Sequence, residues 1–428
     1  MSKEKKSNMI SYNVFTLDNG MRVVHHFSDV SPMAAVAICC DVGAADEDDN
    51  RTGLAHLIEH LMFGGSKNVP AYDQALERAG AINNAWTSTD ETCYHEYLPA
   101  VNIETALWAE SDRFMEPSFT EKTFETQRKV VIEEFKQQCL NRPYGDADHL
   151  LRSLMFRVHP YRYPTIGKEI AHLEAVTLDE VKAFFRRRYV PANMVLSISG
   201  PLTLERVREL AEKWFGDIPA TRSTQRALPE EPAVTDGPRR MSVTRQVPQA
   251  RIMIAYQMGG RKSPDYVPAD LITDVLAGGL SSRFETRLMP ANGNIFSNAN
   301  AYIYGSRDKG LLVLIADLMH DDNQTIALAE QKLREQVADL AEKGVTRQEL
   351  TREQNKRAAT NALEALENNS VAPALAKSVL RNEDYNDLLD SYNRATPDDI
   401  RLAALRIFRP ENSGVLIIKP EPSKNTQL

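Results

Sequence analysis

Apolar and polar residues change their spacing repeatedly along this chain, and each change marks an element. The stretch "YNVFTLDNGMRVVHHF" near the start alternates in two short runs joined at Asp18-Asn19-Gly20, which predicts two strands and a tight hairpin turn. "MAAVAICCDVG", from Met33, is a continuous apolar run closed by a turn residue and predicts a buried strand. The spacing then lengthens to three and four residues in "AYDQALERAG", "NIETALWAESDRFM" and "TEKTFETQRKVVIEEFKQQ", each predicted as a helix. Strands and helices are mixed within the same half of the chain, so the fold class is α+β, a mixed α/β arrangement of sheets with packed helices.

Two distant stretches repeat one pattern. In "TLDEVKAFFRRRYVPANMVLSISG" from Thr177 and "TPDDIRLAALRIFRPENSGVLIIKP" from Thr396, a threonine cap and acidic first turn open a helix. An aromatic residue (Tyr189, Phe408), a proline (Pro191, Pro410) and an apolar strand then follow at matching places. The offset is about half the chain, which predicts two homologous halves. Between them, "GDIPATRSTQRALPEEPAVTDGPRR" is rich in proline, charge and small polar residues and has no periodicity. We therefore divide the chain into an N-terminal half (1–220), a linker (221–240) and a C-terminal half (241–428).

Composition narrows the function. With 428 residues, 42% of them hydrophobic, the chain can bury a substantial core. Its 51 basic and 59 acidic residues leave a formal charge of -8, which argues against nucleic acid or an anionic membrane as a partner. No apolar run approaches the roughly 20 residues that span a bilayer, and "MSKEKKSNM" is followed by no apolar stretch that would make it a secretory signal. The expectation is a cytoplasmic protein, or a periplasmic one if a leader preceded Met1. Cys39, Cys40, Cys93 and Cys139 lack the number and spacing of a disulfide scaffold and are expected to be reduced core thiols. The tail "EPSKNTQL" is expected to be disordered.

The chemistry concentrates in "GLAHLIEHLMFGG", residues 53–65. On a helix, residues four apart lie one above the other, so His56 and His60 can direct two imidazoles at one ion while Glu59 lies beside them. Zinc held by three protein ligands keeps a position open for water and acidifies it, and a neighbouring carboxylate can take the proton. A chain with nine histidines produces H-x-x-E-H by chance only about once in a hundred sequences. Gly64-Gly65 reads as the stop of this helix. His25, His26, His95, His149, His159 and His172 have no ligand spacing.

A third ligand is needed. The second half holds one histidine, His320, so a carboxylate of the first half is the better source. In "QRKVVIEEFKQQ", Glu133 shares a helix face with Lys129 and Lys136, whereas Glu134 stacks over Val130 and Val131. A carboxylate aimed at the core must be paired or ligate metal, so Glu134 is the predicted ligand and Glu133 a surface residue.

With these residues in place the chain resembles the inverzincin metallopeptidases of the pitrilysin and insulysin group, family M16. The similarity is to the short-chain branch that includes the mitochondrial processing peptidase beta subunit. "LDNGMRVV", "GLAHLIEHLMFGGS", "NAWTS", "PANMVLSISG" and "VPQARIMIAYQM" follow the family's order over nearly the whole chain. The resemblance implies a clam-shell of two homologous halves around a chamber, Zn2+ held by His56, His60 and Glu134, and Glu59 as general base. It also implies that Asn84 and Ala85 lie on a strand edge that receives peptide substrate as an added strand.

Two departures stand out. The family's second glutamate, two helical turns before the metal ligand, is Gln127 here, which adds no charge. In "SSRFETRLMPANGNIFS", the family's substrate-binding arginine and, seven residues on, tyrosine are replaced by Met289 and Phe296. Such donors stabilise the oxyanion by a few kcal/mol each, so their loss matters. Arg283, Arg287, Tyr302 or Tyr304 could substitute. The expected function is a zinc-dependent endopeptidase whose related, zinc-less partner supplies the missing pair, as a heterodimer, with a homodimer as the variant. The competing expectation is a non-catalytic structural or peptide-binding subunit of the same fold.

Overall fold

The hairpin predicted at Asp18-Asn19-Gly20 joins β1 (Asn13–Thr16) to β2 (Arg22–Phe27), with Thr16 opposite Arg22. The computed structural model describes residues 9–221, 227–289, 295–305 and 307–422; most of the tail lies outside them. The first sheet adds β3 (Met33–Cys40), β4 (Ile82–Thr87), β5 (Thr92–Pro99) and β6 (Met194–Gly200) in the order β1-β2-β6-β3-β5-β4. The second holds β7 (Arg239–Arg245), β8 (Arg251–Met258), β9 (Phe296–Tyr304), β10 (Gly310–Leu318) and β11 (Ser413–Pro420) in the order β7-β11-β8-β10-β9. With β1 set aside the two orders coincide. Each sheet also has one parallel pair, β2 with β6 and β7 with β11, while the other pairs are antiparallel.

The helices of the first half are α1 (Leu54–Met62), α2 (Tyr72–Arg78), α3 (Ile103–Met115), α4 (Glu121–Phe135), α5 (Ala147–Met155), α6 (Ile170–Ala175), α7 (Leu178–Arg188) and α8 (Leu204–Phe215). Those of the second are α9 (Tyr266–Ala277), α10 (Asn323–Lys343), α11 (Arg347–Glu364), α12 (Asn368–Leu380), α13 (Tyr385–Arg394) and α14 (Pro397–Ile407). The repeat read from the sequence is a repeat of hydrogen bonds. Thr177 with Glu180 and Thr396 with Asp399 form capping boxes at α7 and α14. The buried Asn193 and Asn412 amides then return to the preceding helix, donating to Arg188 O and Ile407 O at 2.9 Å each.

Two compact units result, and neither is one continuous stretch of chain. The first comprises Met1–Glu134, Pro164–Ala227 and Ala358–Asp390, and the second Phe135–Tyr163, Leu228–Arg357 and Ser391–Leu428. Each half of the sequence thus lends a segment to the other half's unit. In the first unit, Val23, Val36, Ile38, Leu196 and Ile198 face α1, α3, α7 and α8 through Leu57, Leu107, Val181 and Leu210. The opposite face, with Val24, Ala35, Ala37 and Val195, is covered by Val371, Ala372, Leu375 and Ala376 of α12. A sheet buried on both faces explains why β3 is apolar at successive positions. In the second unit α5 lies on β7, β11 and β8, and a Cβ at Gly414 would meet Met155 Sδ at 2.4 Å, so a side chain there would push Met155 aside.

One expectation is corrected. Cys39 and Cys93 sit directly opposite each other on β3 and β5 and form a disulfide, while Cys40 and Cys139 are buried and not in a disulfide. The strand register, invisible in the spacing of the cysteines, brings the two sulfurs together. The linker also carries structure: buried Glu231 accepts the amides of Arg157, Val158 and His159 at 2.7–2.9 Å. No helix among the described residues is long and apolar enough to cross a membrane.

Candidate metal centre

Helix α1 is fixed at both ends by backbone requirements. Gly53, its N-cap, takes φ +90°, and a Cβ there would lie 2.9 Å from Ile166 O. The buried carboxylate of Glu47 accepts the Gly53 amide at 2.8 Å and the Ala55 amide at 2.7 Å, answering donors that a first helical turn leaves unpaired. Gly65, at φ +92°, turns the chain away after the C-cap Phe63. Leu54, Leu57, Ile58 and Leu61 enter the core, which leaves His56, Glu59 and His60 on the remaining face.

Beside the helix C-terminus lies a buried ionic cluster. Arg113, with no exposed surface, packs over the rings of Tyr72 and Tyr94 at 4.3 and 4.4 Å and pairs with Glu110 at 2.6 Å. Glu96 stands 3.6 Å from the same guanidinium. Burial, and then the Glu110 charge, push the Glu96 carboxyl well above the usual carboxylate range.

The predicted ligands converge. His56 Nε2 and His60 Nε2 are 3.3 Å apart, and Glu134 Oε2 on α4 lies 3.7 and 3.5 Å from them. The three side chains are 14%, 24% and 28% exposed, and Glu133 is solvent-facing as expected, although Val130 is exposed as well. A tetrahedral ion with bonds of about 2.0–2.1 Å separates its ligands by about 3.3–3.4 Å, so the set fits a divalent cation such as zinc. Burial, and then the neighbouring His60, hold the His56 pKa down to about 4, which keeps its ring neutral with a lone pair to offer. Three lone pairs aimed at one point repel unless a positive charge lies among them. Among the described residues the buried His56 Nδ1 has no hydrogen-bond acceptor, whereas metal-bound histidines usually have one.

Glu59 stands beside the ligands. Burial raises its carboxyl above the usual range; a hydrogen bond from Thr87 and the nearby His60 lower it, and Glu134 raises it again. Thr87 Oγ1 donates to Glu59 Oε2 at 2.5 Å, a contact the sequence reading missed although "NAWTS" ends on that threonine and its serine neighbour.

Asn84 and Ala85 lie on β4, the outer strand of the first sheet. Asn84 Oδ1 accepts the Ala85 amide at 2.8 Å, and the same pair recurs on β9, the outer strand of the second sheet, where Asn300 Oδ1 accepts the Ala301 amide at 2.7 Å. Gln127 is half-buried on α4. In the second unit Met289 is half-buried and Phe296 buried; residues 290–294 between them lie outside the described residues. Three of the four suggested substitutes, Arg283, Arg287 and Tyr304, already have partners. Arg283 is saturated by Glu349, Asp339 and the Gly344 carbonyl, Arg287 pairs with Asp339, and the Tyr304 hydroxyl faces Tyr161 O at 3.5 Å. The Tyr302 hydroxyl is raised by burial.

Fold and site together define a duplicated α+β protein with a cluster of two histidines and one carboxylate able to hold a cation, and a carboxylate beside it. Residues 22–169 match the family model described as insulinase (peptidase family M16), and 175–357 that described as peptidase M16 inactive domain. The chain belongs to peptidase family M16. It is 26% identical to zinc protease PqqE of Helicobacter pylori, over 98% of this chain and 95% of that one. It is 25% identical to an uncharacterized zinc protease of Mycobacterium leprae (96% and 92%), and 24% identical to a probable mitochondrial-processing peptidase subunit beta of Arabidopsis thaliana (76% and 64%). Among solved structures, a protease from Helicobacter pylori superposes with TM-score 0.89 at 24% identity, covering 96% of this chain and all of that one. An M16 inactive domain from Pseudomonas fluorescens gives 0.86 at 18%, covering 97% and 99%.

Proposed function

We propose that this chain is the zinc-bearing subunit of a metalloendopeptidase acting on peptides or unfolded segments. The observation that carries the reading is the convergence of His56 Nε2, His60 Nε2 and Glu134 Oε2 with the Glu59 carboxylate alongside. Zinc, when bound there, supplies Lewis acidity toward a peptide carbonyl and acidifies water. His56, His60 and Glu134 hold the ion. Glu59 takes up the proton at a carboxylate oxygen and returns it to the leaving amine. Asn84 and Ala85 receive the peptide main chain along the β4 edge, where pairing tolerates varied side chains.

The oxyanion pair is missing from this chain, since Met289 and Phe296 offer no charged or hydroxyl donor and Arg283 is already committed. We assign that pair to a related zinc-less partner. The same two residues favour the second reading, a peptide-binding subunit without turnover. The deciding experiment compares wild type and Glu59→Gln, alone and with the partner chain. Zinc retained at one equivalent with cleavage abolished in Glu59→Gln supports the peptidase; no zinc-dependent cleavage by wild type in either state leaves the binding subunit.

A further inference from the structure

We propose that Thr87 is the positioning residue for Glu59, holding its carboxylate by one oxygen so that the other remains the basic atom; this rests on the reading of Glu59 as general base. The Thr87 hydroxyl donates to Glu59 Oε2, and no second hydrogen bond to that carboxylate occurs among the described residues. A glutamate has three rotatable bonds, so a single strong donor decides where its free oxygen points.

Thr87 can play this part because an ionised carboxylate has no proton to give, so in this pair the threonine is the donor. It closes β4 opposite Thr92 of β5, whose Oγ1 lies 3.4 Å from its own. Thr92, fully buried, donates to Val42 O at 2.9 Å, and its longer contact with Thr87 Oγ1 also runs from Thr92, so neither uses the Thr87 proton. The buried hydroxyl of Tyr189 lies close to those of Thr92 and Tyr94. Thr87 is also two residues from Ala85, on the same face of β4, so one strand sets both the peptide edge and the base.

The test uses the full-length chain, zinc-loaded and with its partner, on a quenched fluorescent peptide, together with thermal unfolding of the metal-free chain. Thr87→Val keeps shape and strand preference but removes the donor. It is expected to lower kcat about 10–100-fold, as misplacing a catalytic group by about 1 Å does, with KM and zinc stoichiometry unchanged. Thr87→Ser restores the donor and is expected to recover most of the rate. In the metal-free chain, Thr87→Val lowers Tm when Glu59 is present and not in a Glu59→Ala background. The proposal is overturned if Thr87→Val turns over like wild type, if Thr87→Ser is as impaired as Thr87→Val, or if the Tm drop is the same without Glu59. Cleavage surviving in Glu59→Gln would instead remove the base assignment, and the thermal cycle, which needs no turnover, still decides whether Thr87 holds this carboxylate.

Discussion

The main-chain amide of Ala55 donates to Glu47 Oε1 at 2.7 Å, tying the start of α1 to a carboxylate eight residues upstream. Burial pushes the Glu47 pKa up to about 8 against the opposing pull of the Ala55 and Gly53 amides. The carboxylate anchors the turn that precedes His56. Glu47→Ala is expected to destabilise the fold by about 1–3 kcal/mol by stranding buried amides, and to weaken zinc binding several-fold. Urea unfolding and competition with a chromogenic chelator measure the two effects, and an unchanged zinc affinity would disconnect the cap from the site.

Glu96 and Glu110 share one cation, and they should respond differently to the same change. Glu110 makes the close pair with Arg113, while Glu96 is pushed toward its neutral form. Glu96→Gln imitates that neutral acid and is expected to cost under about 1 kcal/mol. Glu110→Gln leaves a buried guanidinium poorly compensated and is expected to cost about 3–5 kcal/mol. Equal losses in chemical denaturation would show that both carboxylates are charged.

The Glu349 carboxyl is held down to about 2 although burial alone would raise it, because Arg283 and the Thr346 amide stabilise the charged form. The folded pKa is depressed, so its contribution is complete above about 4.5 and fades as pH falls from there toward 2. At neutral pH the linkage is on the order of 2–3 kcal/mol for a side chain 14% exposed. Glu349→Gln should therefore destabilise the chain clearly at pH 7 and little at pH 2.5 in urea titrations. A penalty that does not shrink on acidification would place the depression elsewhere.

Zinc should behave as a stabilising ligand. Free zinc at one hundred times its Kd is worth about 2.7 kcal/mol to a protein that binds it only when folded. Adding zinc to the metal-free chain is thus expected to raise Tm, an effect Glu134→Ala should abolish and Glu133→Ala should preserve. If the two alanine variants respond alike, Glu134 is not the third ligand.

The convergence of the candidate ligands was legible because much of it is local: four-residue spacing on a helix places His56 over His60, and a helical wheel separates Glu134 from Glu133. The repeat was legible for the same reason, since a threonine cap and a proline turn are short-range signals. Pairings made through the fold were not. Glu47 sits in "DEDDN"-flanked sequence that reads as a solvated acidic loop, Arg113 looks like an ordinary helix surface residue, and Cys39 meets Cys93 only once β3 and β5 are in register. Likewise, the apolar stripe of α12 says that it covers a sheet, not which one.

That last point bears on how the protein is made. The strands of the first sheet are complete by Gly200, yet one of their faces waits for Val371, Ala372, Leu375 and Ala376. On the ribosome, α12 must emerge before that surface can close, so the unit carrying His56, His60 and Glu134 matures only after more than 160 further residues have followed Gly200. A truncated product ending before Asn368 would leave the ligands encoded but their sheet open on one side.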